Sequence, residues 1–396
     1  MTRLFPFLLL LLWAAAAGGQ SLRLEPQVIS LRKGLRFSLK VPAGYRVRVA
    51  AEGLKRPRFF TRSPEGRLFL TDLYNRSDNK RGRVLILEDW NEAEQRFGRV
   101  TVFLDSLRNP NSVAFYSKNG RHTLFVAETG KLTAYDYEPG SARPSGTGRV
   151  IARFPDYGLH YKYGGWHLTR SLAVRGDKLY VSVGSSCNAC VETEEVRATI
   201  LELNPDGSGQ KVWARGLRNS VGLKWVGGVL WVTGMGRDGI GPDRPEDLFH
   251  PVREGGFYGW PFYYQYRKKV YPDGQFKDSV RASFVVPPPV APWGFAAHTA
   301  PLGFDYLTGF SDSLLNNSFL VALHGSTSVW RERGNAVVQL LPGGAYRPVV
   351  SGFLSGRSES TRYGRPCDVL QADKNSFFIS DDKNGVVYFV RKENRP

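Results

Sequence analysis

Six short apolar segments of the strand type recur along the chain. They begin at Leu68, Leu124, Leu179, Leu230, Phe319 and Phe377. Each is rich in β-branched, aromatic and leucine side chains, and a turn-forming pair such as Asn119-Gly120 precedes nearly all of them. This pattern is typical of strands that follow tight turns. No long amphipathic helical periodicity competes with it, so we predict an all-β protein.

The spacing of these segments predicts the architecture. Successive segments begin 51 to 58 residues apart, apart from one step of 89 residues after Leu230. A repeat of this length is typical of propellers, in which a four-stranded blade occupies about 40–50 residues. We predict one six-bladed β-propeller domain from residue 21 to residue 396, with an insertion near residues 260–292.

The fourth residue of every segment is small. The six residues are Thr71, Ala127, Ser182, Thr233, Ala322 and Ser380. Bulky side chains do not fit where six strands converge, and we therefore expect these segments to crowd toward the propeller axis.

A second recurring segment, here called the lead-in segment, comes about a dozen residues before each strand and carries Arg, Asn or His. Equivalent positions of all blades gather at one mouth of a propeller axis. The side chains expected there are Arg56, Arg108, His167, Arg170, Arg218, Asn219, His298 and Arg365. Each arginine alone could cap its own blade. Several guanidinium groups around one cavity favour an anion-binding site, because unpaired clustered cations are energetically costly.

The first 20 residues resemble an export signal. Arg3 precedes an apolar run from Leu4 to Ala17, and small residues follow it. The run is shorter than the about 20 apolar residues that span a bilayer and matches a cleaved signal peptide; an uncleaved anchor is the alternative. We expect export to the periplasm or the extracellular space, with no membrane span after cleavage.

The formal net charge of +18 raises the question of a nucleic-acid partner. The basic residues are spread along the whole chain and form no cluster, which favours a generally cationic surface and no nucleic-acid binding.

Three cysteines occur, of which Cys187 and Cys190 are three positions apart. In an oxidising compartment this pair is expected to form a disulfide, and a redox role is the alternative. A metal site would need two further ligands nearby. Cys367 is expected to be buried as a small hydrophobic residue.

Seven motifs carry a family resemblance. They include Gly164-Gly-Trp-His-Leu-Thr-Arg170, Gly216-Leu-Arg-Asn-Ser-Val-Gly-Leu223, His298-Thr-Ala-Pro-Leu-Gly303 and His324-Gly-Ser326, together with the segments 179–186, 197–208 and 255–261. Their order and spacing, from about residue 41 to 390, resemble the glucose/sorbosone dehydrogenase family, and most closely its sorbosone-dehydrogenase-like branch. The resemblance implies pyrroloquinoline quinone (PQQ) on the axis, bound calcium, and oxidation of an aldose sugar or sugar aldehyde by hydride transfer to the quinone.

The resemblance also implies residue roles. His167 matches the base that takes the proton of the sugar hydroxyl, a role that suits a neutral imidazole; a structural histidine is the alternative. The residues expected to bind the cofactor are Arg170, Arg218, Asn219, Arg331 and Arg365. The chain departs from the family pattern after Ser326, where Thr327 to Arg331 replace an expected Trp-Asn-Arg.

The loop between residues 236 and 247 is the candidate calcium site. Its oxygen ligands would be the carboxylates of Asp238, Asp243, Glu246 and Asp247 and the backbone near Gly241 and Pro242. Carboxylates and carbonyls suit this hard cation, although the loop lacks EF-hand spacing. A turn whose acids face water is the alternative.

Two other function classes compete with a sugar dehydrogenase. A propeller can also bind a glycan or a protein without catalysis, and the altered stretch after Ser326 favours that alternative. A calcium-dependent hydrolase such as a lactonase would need carboxylates on the axis, where this chain gathers mainly arginine and histidine. The expected partners are therefore a small sugar and an unidentified electron acceptor.

Overall fold

Antiparallel pairing of neighbouring strands builds six four-stranded sheets and two smaller two-stranded sheets in the computed structural model, which describes residues 22–156, 167–278, 286–328 and 332–393. The six sheets are arranged in a ring and form a six-bladed β-propeller, as predicted. Helical structure within these ranges is limited to short 3₁₀ turns such as Gly274–Phe276, Pro342–Gly344 and Glu359–Thr361 and to the α-helical residues 277 and 278.

The strands are, in chain order, β1 (Leu24–Ser30), β2 (Arg36–Pro42), β3 (Tyr45–Glu52), β4 (Pro57–Arg62), β5 (Leu68–Asp72), β6 (Gly82–Asn91), β7 (Arg96–Leu107), β8 (Ser112–Lys118), β9 (Arg121–Glu128), β10 (Lys131–Tyr137), β11 (Arg149–Arg153), β12 (Arg170–Arg175), β13 (Lys178–Val183), β14 (Thr199–Leu203), β15 (Lys211–Arg215), β16 (Leu223–Val226), β17 (Val229–Gly234), β18 (Asp247–Val252), β19 (Tyr263–Tyr266), β20 (Lys269–Pro272), β21 (Trp293–Phe295), β22 (Pro301–Leu307), β23 (Ser318–Leu323), β24 (Ala336–Leu340), β25 (Tyr346–Val350), β26 (Pro366–Asp373), β27 (Ser376–Asp381) and β28 (Val386–Lys392).

The blades follow one another along the chain, and the two ends of the propeller meet in the last one. Blades 1, 2 and 3 are β4–β7, β8–β11 and β12–β15; blade 4 is β16–β18 with β21, and blade 5 is β22–β25. Blade 6 combines β26–β28 with the early strand β3, which pairs with β28 from Glu52 and Val386 to Tyr45 and Lys392. This pairing closes the ring with backbone hydrogen bonds.

The first strand of each blade lies on the axis. β4, β8, β12, β16, β22 and β26 contact one another around the ring, and the six apolar segments found in the sequence are the second strands, β5, β9, β13, β17, β23 and β27. The expectation that these segments crowd toward the axis was therefore wrong. They lie one strand farther out, next to the strands that line the axis.

The small fourth residues serve the contact between neighbouring blades. The hydroxyl of Thr71 donates to the carbonyl of Asn111, 2.7 Å away, at the start of blade 2. Thr233 donates in the same way to Leu302 of blade 5, at 2.9 Å. A larger side chain at these positions would push the next inner strand away, which explains the repeated small residue.

Aromatic packing fills the space between blades. The ring of Phe69 on β5 meets the rings of Phe103, Phe115 and Tyr137 edge-on, with centroids 5.0 to 5.8 Å apart. Phe103 belongs to blade 1, whereas Phe115 and Tyr137 belong to blade 2, so one aromatic cluster joins two sheets. Edge-to-face pairs of this kind add to the stabilisation from buried area.

Two short sheets lie outside the blades. β1 and β2 form a hairpin that reaches blade 5 through a bridge between Lys40 and Ser351. β19 and β20 come from the predicted insertion, between β18 and β21 of blade 4. The predicted signal peptide, residues 1–20, lies outside the described residues. Within the described ranges, no helix has the length and apolar character needed to cross a bilayer.

Candidate active site

The lead-in segment of each blade meets the loop that follows its second strand, at one end of the propeller. In blade 1 the backbone N–H of Arg56 donates to the carboxylate of Asp72 at 2.7 Å. In blade 6 the N–H of Arg365 donates to Asp381 at 2.8 Å. In these blades the acid that ends the second strand anchors the lead-in segment, and the repeat places the predicted polar residues around one mouth.

His167 is held at this mouth by the loop after β13. Its ring Nδ1 lies 2.9 Å from the carbonyl oxygen of Ser185 and 3.0 Å from the Ser185 hydroxyl oxygen, which itself donates to the carbonyl of Cys187. Nδ1 therefore carries the proton, and the lone pair is on Nε2. Burial, reinforced by the positive charge of Arg218, holds the pKa of His167 well below its ordinary value. The imidazole is neutral at physiological pH and suited to accept a proton.

Gly184 lets His167 and Asn219 approach each other. A Cβ at residue 184 would lie 2.6 Å from the Cβ of His167 and 2.9 Å from Oδ1 of Asn219, too close for any side chain. The amide of Asn219 also contacts the sulfur of Met235 at 3.6 Å. Two predicted site residues from different blades thus meet over one glycine.

Arg218 lies almost fully inside the protein and binds neutral acceptors. Its Nε and Nη2 donate to the backbone and side-chain oxygens of Asn188 at 2.9 and 3.0 Å, and its Nη1 donates to the carbonyl of Gly236 at 3.1 Å. Burial lowers the pKa of Arg218 to about 10. Burial thus disfavours the charged form of Arg218, and a carboxylate beside it would offset that cost.

Asp238 and His298 form the next contact around the mouth. Nδ1 of His298 lies 3.0 Å from the Asp238 carboxylate. The backbone of Asp238 exchanges two hydrogen bonds with the Asn188 side chain, at 2.8 and 2.9 Å. Asn188 therefore links Arg218 to the Asp238–His298 pair.

Blades 5 and 6 contribute a second group of residues. Arg365 donates to the carbonyls of His324 and Gly325 at 3.1 and 2.6 Å, and burial lowers the pKa of Arg365 to about 10. Nε2 of His324 lies 2.8 Å from Asp382, and burial with the charge of Arg365 lowers the pKa of His324 to about 3. Arg58 also donates to Asp382, at 3.0 Å.

Asp382, His324 and Cys367 offer three ligand atoms close together, but positive charge makes a metal ion there unfavourable. Arg56 and Arg58 both form ion pairs with Asp382. We interpret this cluster as a structural centre of the mouth.

Carboxylates compensate the charge of two of the predicted arginines, and a third is buried within its blade. Arg56 pairs with Asp382, and Arg108 pairs with Asp78 and Asp156. Arg170 is fully buried and donates to the carbonyl of His167 at 2.7 Å, within its own blade. The positive charge that was expected to gather around the cavity is therefore reduced, because carboxylates of neighbouring loops compensate Arg56 and Arg108. Arg331 lies outside the described residues.

The structure separates the acids of the candidate calcium loop. Asp247 is buried and accepts from the N–H groups of Gly236 and Ala300, both at 2.8 Å. Glu246 turns toward the insertion and accepts from Gln265 and from the N–H of Arg267. Both carboxylates thus hold the backbone of blade 4 and the insertion together.

The remaining oxygens of that loop face His298 and Arg333. Arg333 donates to the carbonyl of Pro242 at 2.7 Å and pairs with Asp243. Nε2 of His298 is 3.5 Å from the carbonyl of Gly241. Within the described part of the chain, these acids do not bring three ligand side chains together, and a cation entering here would have to displace Arg333.

Two cavities lie near the site. One lies on the axis, away from the mouth, and the inner strands of all six blades line it. The other lies beside Arg218, between blade 4 and the insertion. The aromatic residues Tyr258, Trp260, Tyr263 and Tyr264 line the second cavity.

Several residues of this site were not predicted from the sequence: Ser185, Asn188, Arg58 and Asp382. The only signal for Asn188 was its position between Cys187 and Cys190, which form the disulfide that the spacing suggested. Cys367 is buried, as predicted.

Comparison with solved structures finds proteins that are similar to this chain over most of its length. The holo form of the pyranose dehydrogenase PQQ domain from Coprinopsis cinerea superposes with a TM-score of 0.69 and 20% identity, over 92% of this chain and 98% of that chain. The calcium structure of the carbohydrate-active enzyme family AA12 protein from Trichoderma reesei gives 0.70 and 17%, over 89% and 96%. At this level of identity the likeness establishes the fold.

Sequence comparison identifies the family. An uncharacterised protein from Borreliella burgdorferi is 26% identical over 230 residues, and the match spans 55% of this chain and 58% of that relative. The TrAA12-like family matches residues 39–246, which is more than half of the chain. These residues include blades 1 to 3 and the first part of blade 4, with His167, Arg218 and Asp238, and the chain therefore belongs to the TrAA12-like family.

Proposed function

We propose that this protein is a quinoprotein sugar dehydrogenase that oxidises an aldose, pyranose or sugar aldehyde with PQQ at the propeller mouth. The observation that carries the proposal is the orientation of His167, whose Nδ1 proton faces the carbonyl of Ser185, so that Nε2 is the basic nitrogen of the ring. The similarity to the PQQ domain of a pyranose dehydrogenase supports the same function.

The residues at the mouth fit an acidic cofactor. Arg218 and Arg365 are buried, bind carbonyl oxygens and have pKa values lowered to about 10 by burial. A carboxylate placed beside them would relieve this desolvation through charge-assisted hydrogen bonds. Asn219, close to His167 over Gly184, offers an amide as a further polar partner.

The positions of these residues indicate the role of each one. Arg218, Asn219 and Arg365 would hold PQQ, which when bound supplies the electrophilic carbon that accepts the hydride. His167 would take the proton of the sugar hydroxyl at Nε2. The Ser185 carbonyl stabilises the imidazolium that results, because it accepts from Nδ1 in both protonation states.

No step of the proposed reaction depends on calcium. Two of its four expected carboxylates, Glu246 and Asp247, hold backbone groups, and Arg333 occupies the oxygens of Pro242 and Asp243. A cation would first have to replace that guanidinium.

The disulfide supports an exported protein. The bond between Cys187 and Cys190 is of a kind that persists in oxidising compartments such as the periplasm or the extracellular space.

Reconstitution tests the function. Purified protein is titrated with PQQ, binding is followed by tryptophan fluorescence, and reduction of an artificial dye is measured with a panel of aldoses, pyranoses and sugar aldehydes. We expect saturable PQQ binding and sugar-dependent dye reduction. The His167→Gln variant should keep PQQ binding and lose turnover by about 10²-fold or more. Binding without dye reduction across the panel would favour a non-catalytic propeller.

A further inference from the structure

The loop closed by the disulfide between Cys187 and Cys190 reaches across the mouth from blade 3 to blade 4. It follows β13, whose end lies at the mouth, and is tied down a second time by Glu192. The Glu192 carboxylate accepts from both the backbone N–H and the hydroxyl of Ser186, at 2.7 Å each. The two ties restrict the loop at both of its ends.

Asn188, inside this ring, contacts two residues of blade 4 that belong to the candidate site. Its backbone carbonyl and its Oδ1 accept from Arg218 at 2.9 and 3.0 Å. The same Oδ1 accepts from the N–H of Asp238 at 2.8 Å, and Nδ2 donates to the Asp238 carbonyl at 2.9 Å.

The contacts require an amide. One side chain must accept from a guanidinium and a backbone N–H, and also donate to a backbone carbonyl. Aspartate lacks the donor and would set a carboxylate oxygen against the Asp238 carbonyl. Alanine lacks both groups.

The same loop also touches the insertion. The indole N–H of Trp260 donates to the Asn188 carbonyl at 3.3 Å, and the Gln275 side chain donates to the Ala189 carbonyl at 3.3 Å. Three separate parts of the chain therefore meet at Asn188 and its neighbour.

We propose that Asn188, held in place by the Cys187–Cys190 disulfide, is a positioning residue that fixes Arg218 and the Asp238–His298 pair for binding of the acidic cofactor. The cofactor in this inference rests on the proposed function. The positioning of Arg218 and Asp238 by Asn188 does not depend on that function. Reduction of the disulfide would release Asn188 and weaken cofactor binding in the same direction as removal of its amide.

Hydrogen exchange and cofactor affinity test the proposal together. The Asn188→Ala variant should lose protection of the Asp238 amide, measured by mass spectrometry on peptides that cover residues 235–241. Its PQQ dissociation constant should rise about tenfold or more, as expected when hydrogen bonds to a charged group are lost. Wild-type protein treated with a phosphine reductant, and the Cys187→Ser/Cys190→Ser variant, should change in the same direction.

Asn204→Ala is the matched control. Asn204 follows β14 of the same blade at the end opposite the mouth, and its side chain bonds Lys178 and Ser208. This variant should leave both the exchange of residues 235–241 and the PQQ affinity unchanged.

The outcomes separate this inference from the proposed function. Unchanged exchange at Asp238 and unchanged PQQ affinity in Asn188→Ala would overturn the positioning role, even if wild type binds PQQ and oxidises sugars. Faster exchange at Asp238 in Asn188→Ala, in a protein that does not bind PQQ, would support the positioning of blade 4 and overturn only the cofactor assignment.

Discussion

The carbonyl oxygen of Ser185 accepts a hydrogen bond from Nδ1 of His167 across 2.9 Å, and this contact selects the tautomer of the ring. Ser185 is fully buried and its N–H is bonded to the carbonyl of Arg218 at 2.8 Å. The orientation of the candidate base is therefore coupled through one backbone unit to the candidate cofactor-binding arginine.

We expect His167 of the cofactor-free protein to stay neutral at pH 6.5. Its pKa is lowered by burial and by Arg218, so protonation begins only below that pH, and the ability to act as a base is lost only in more acidic solution. NMR of the histidine ring carbons across a pH series, assigned with His167→Gln, measures this. A titration midpoint at or above 6.5 would contradict the environment described here.

Gly184→Ala should damage the site without unfolding the blade. The added methyl would meet the Cβ of His167 at 2.6 Å and Asn219 at 2.9 Å, so one of them must move. We expect sugar-dependent dye reduction to fall about tenfold or more, equivalent to about 1.4 kcal/mol of transition-state stabilisation. Gly274→Ala is the control, since a methyl there has no heavy atom within 4 Å. Equal activity of both variants would argue against a catalytic position for His167.

Arg218→Lys should weaken PQQ binding although the charge is kept. The guanidinium reaches three oxygens, two on Asn188 and one on Gly236, and an ammonium group cannot reproduce that planar geometry. We expect the dissociation constant, measured by fluorescence titration, to rise about tenfold or more. Arg215→Lys, at a more exposed position of the preceding strand, should bind like wild type. If both variants bind equally well, Arg218 does not hold the cofactor.

Asp368→Asn should remove a pH dependence of stability. Asp368 is buried on the axis, and burial raises its pKa to about 7. Between pH 4 and 7 the folded protein therefore binds more protons at this residue than the unfolded chain, so the free energy of unfolding decreases as pH rises through that window. Asparagine keeps an oxygen acceptor for the Phe60 N–H. From pH 5 to pH 8, wild type should lose about 2–4 kcal/mol more than the variant in denaturant unfolding. Parallel pH profiles would refute a raised pKa.

Arg333→Gln should increase calcium affinity. Arg333 donates to the carbonyl of Pro242 and pairs with Asp243, and its removal withdraws one positively charged donor from these oxygens and eliminates a charge that repels a cation. Isothermal titration calorimetry should record at least a severalfold lower dissociation constant. Arg357→Gln, an exposed arginine paired with Glu332, should leave calcium binding as in wild type. An affinity that does not respond to Arg333 would place any calcium elsewhere.

The sequence predicted the number of blades and the gathering of the lead-in residues at one end of the propeller. Strand periodicity and repeat length are local properties, and they are readable from one chain. The repeated Arg, Asn and His residues of the lead-in segments likewise follow from the repeat, and in the structure His167, Arg218, His298 and Arg365 do lie at one mouth.

Tertiary structure alone decided which strand lines the axis and which arginines pair with carboxylates. Both depend on contacts between blades: the inner strand is set by packing against the neighbouring sheet, and Arg56 and Arg108 are neutralised by Asp382, Asp78 and Asp156 from other segments. Sequence spacing does not encode such distances.

One difference among the repeats can be interpreted only from the three-dimensional structure. The second strands of blades 1, 2 and 6 end in an acid that anchors the lead-in segment, whereas those of blades 3, 4 and 5 end in Val183, Gly234 and Leu323. In blades 3 and 4 the anchoring falls to residues such as Ser185 and Asn188. The sequence by itself thus determined the repeated scaffold, because hydrophobic period and turns are local. Folding decided the chemistry of the mouth, because a side chain gains its partners and its pKa only from residues that packing brings beside it.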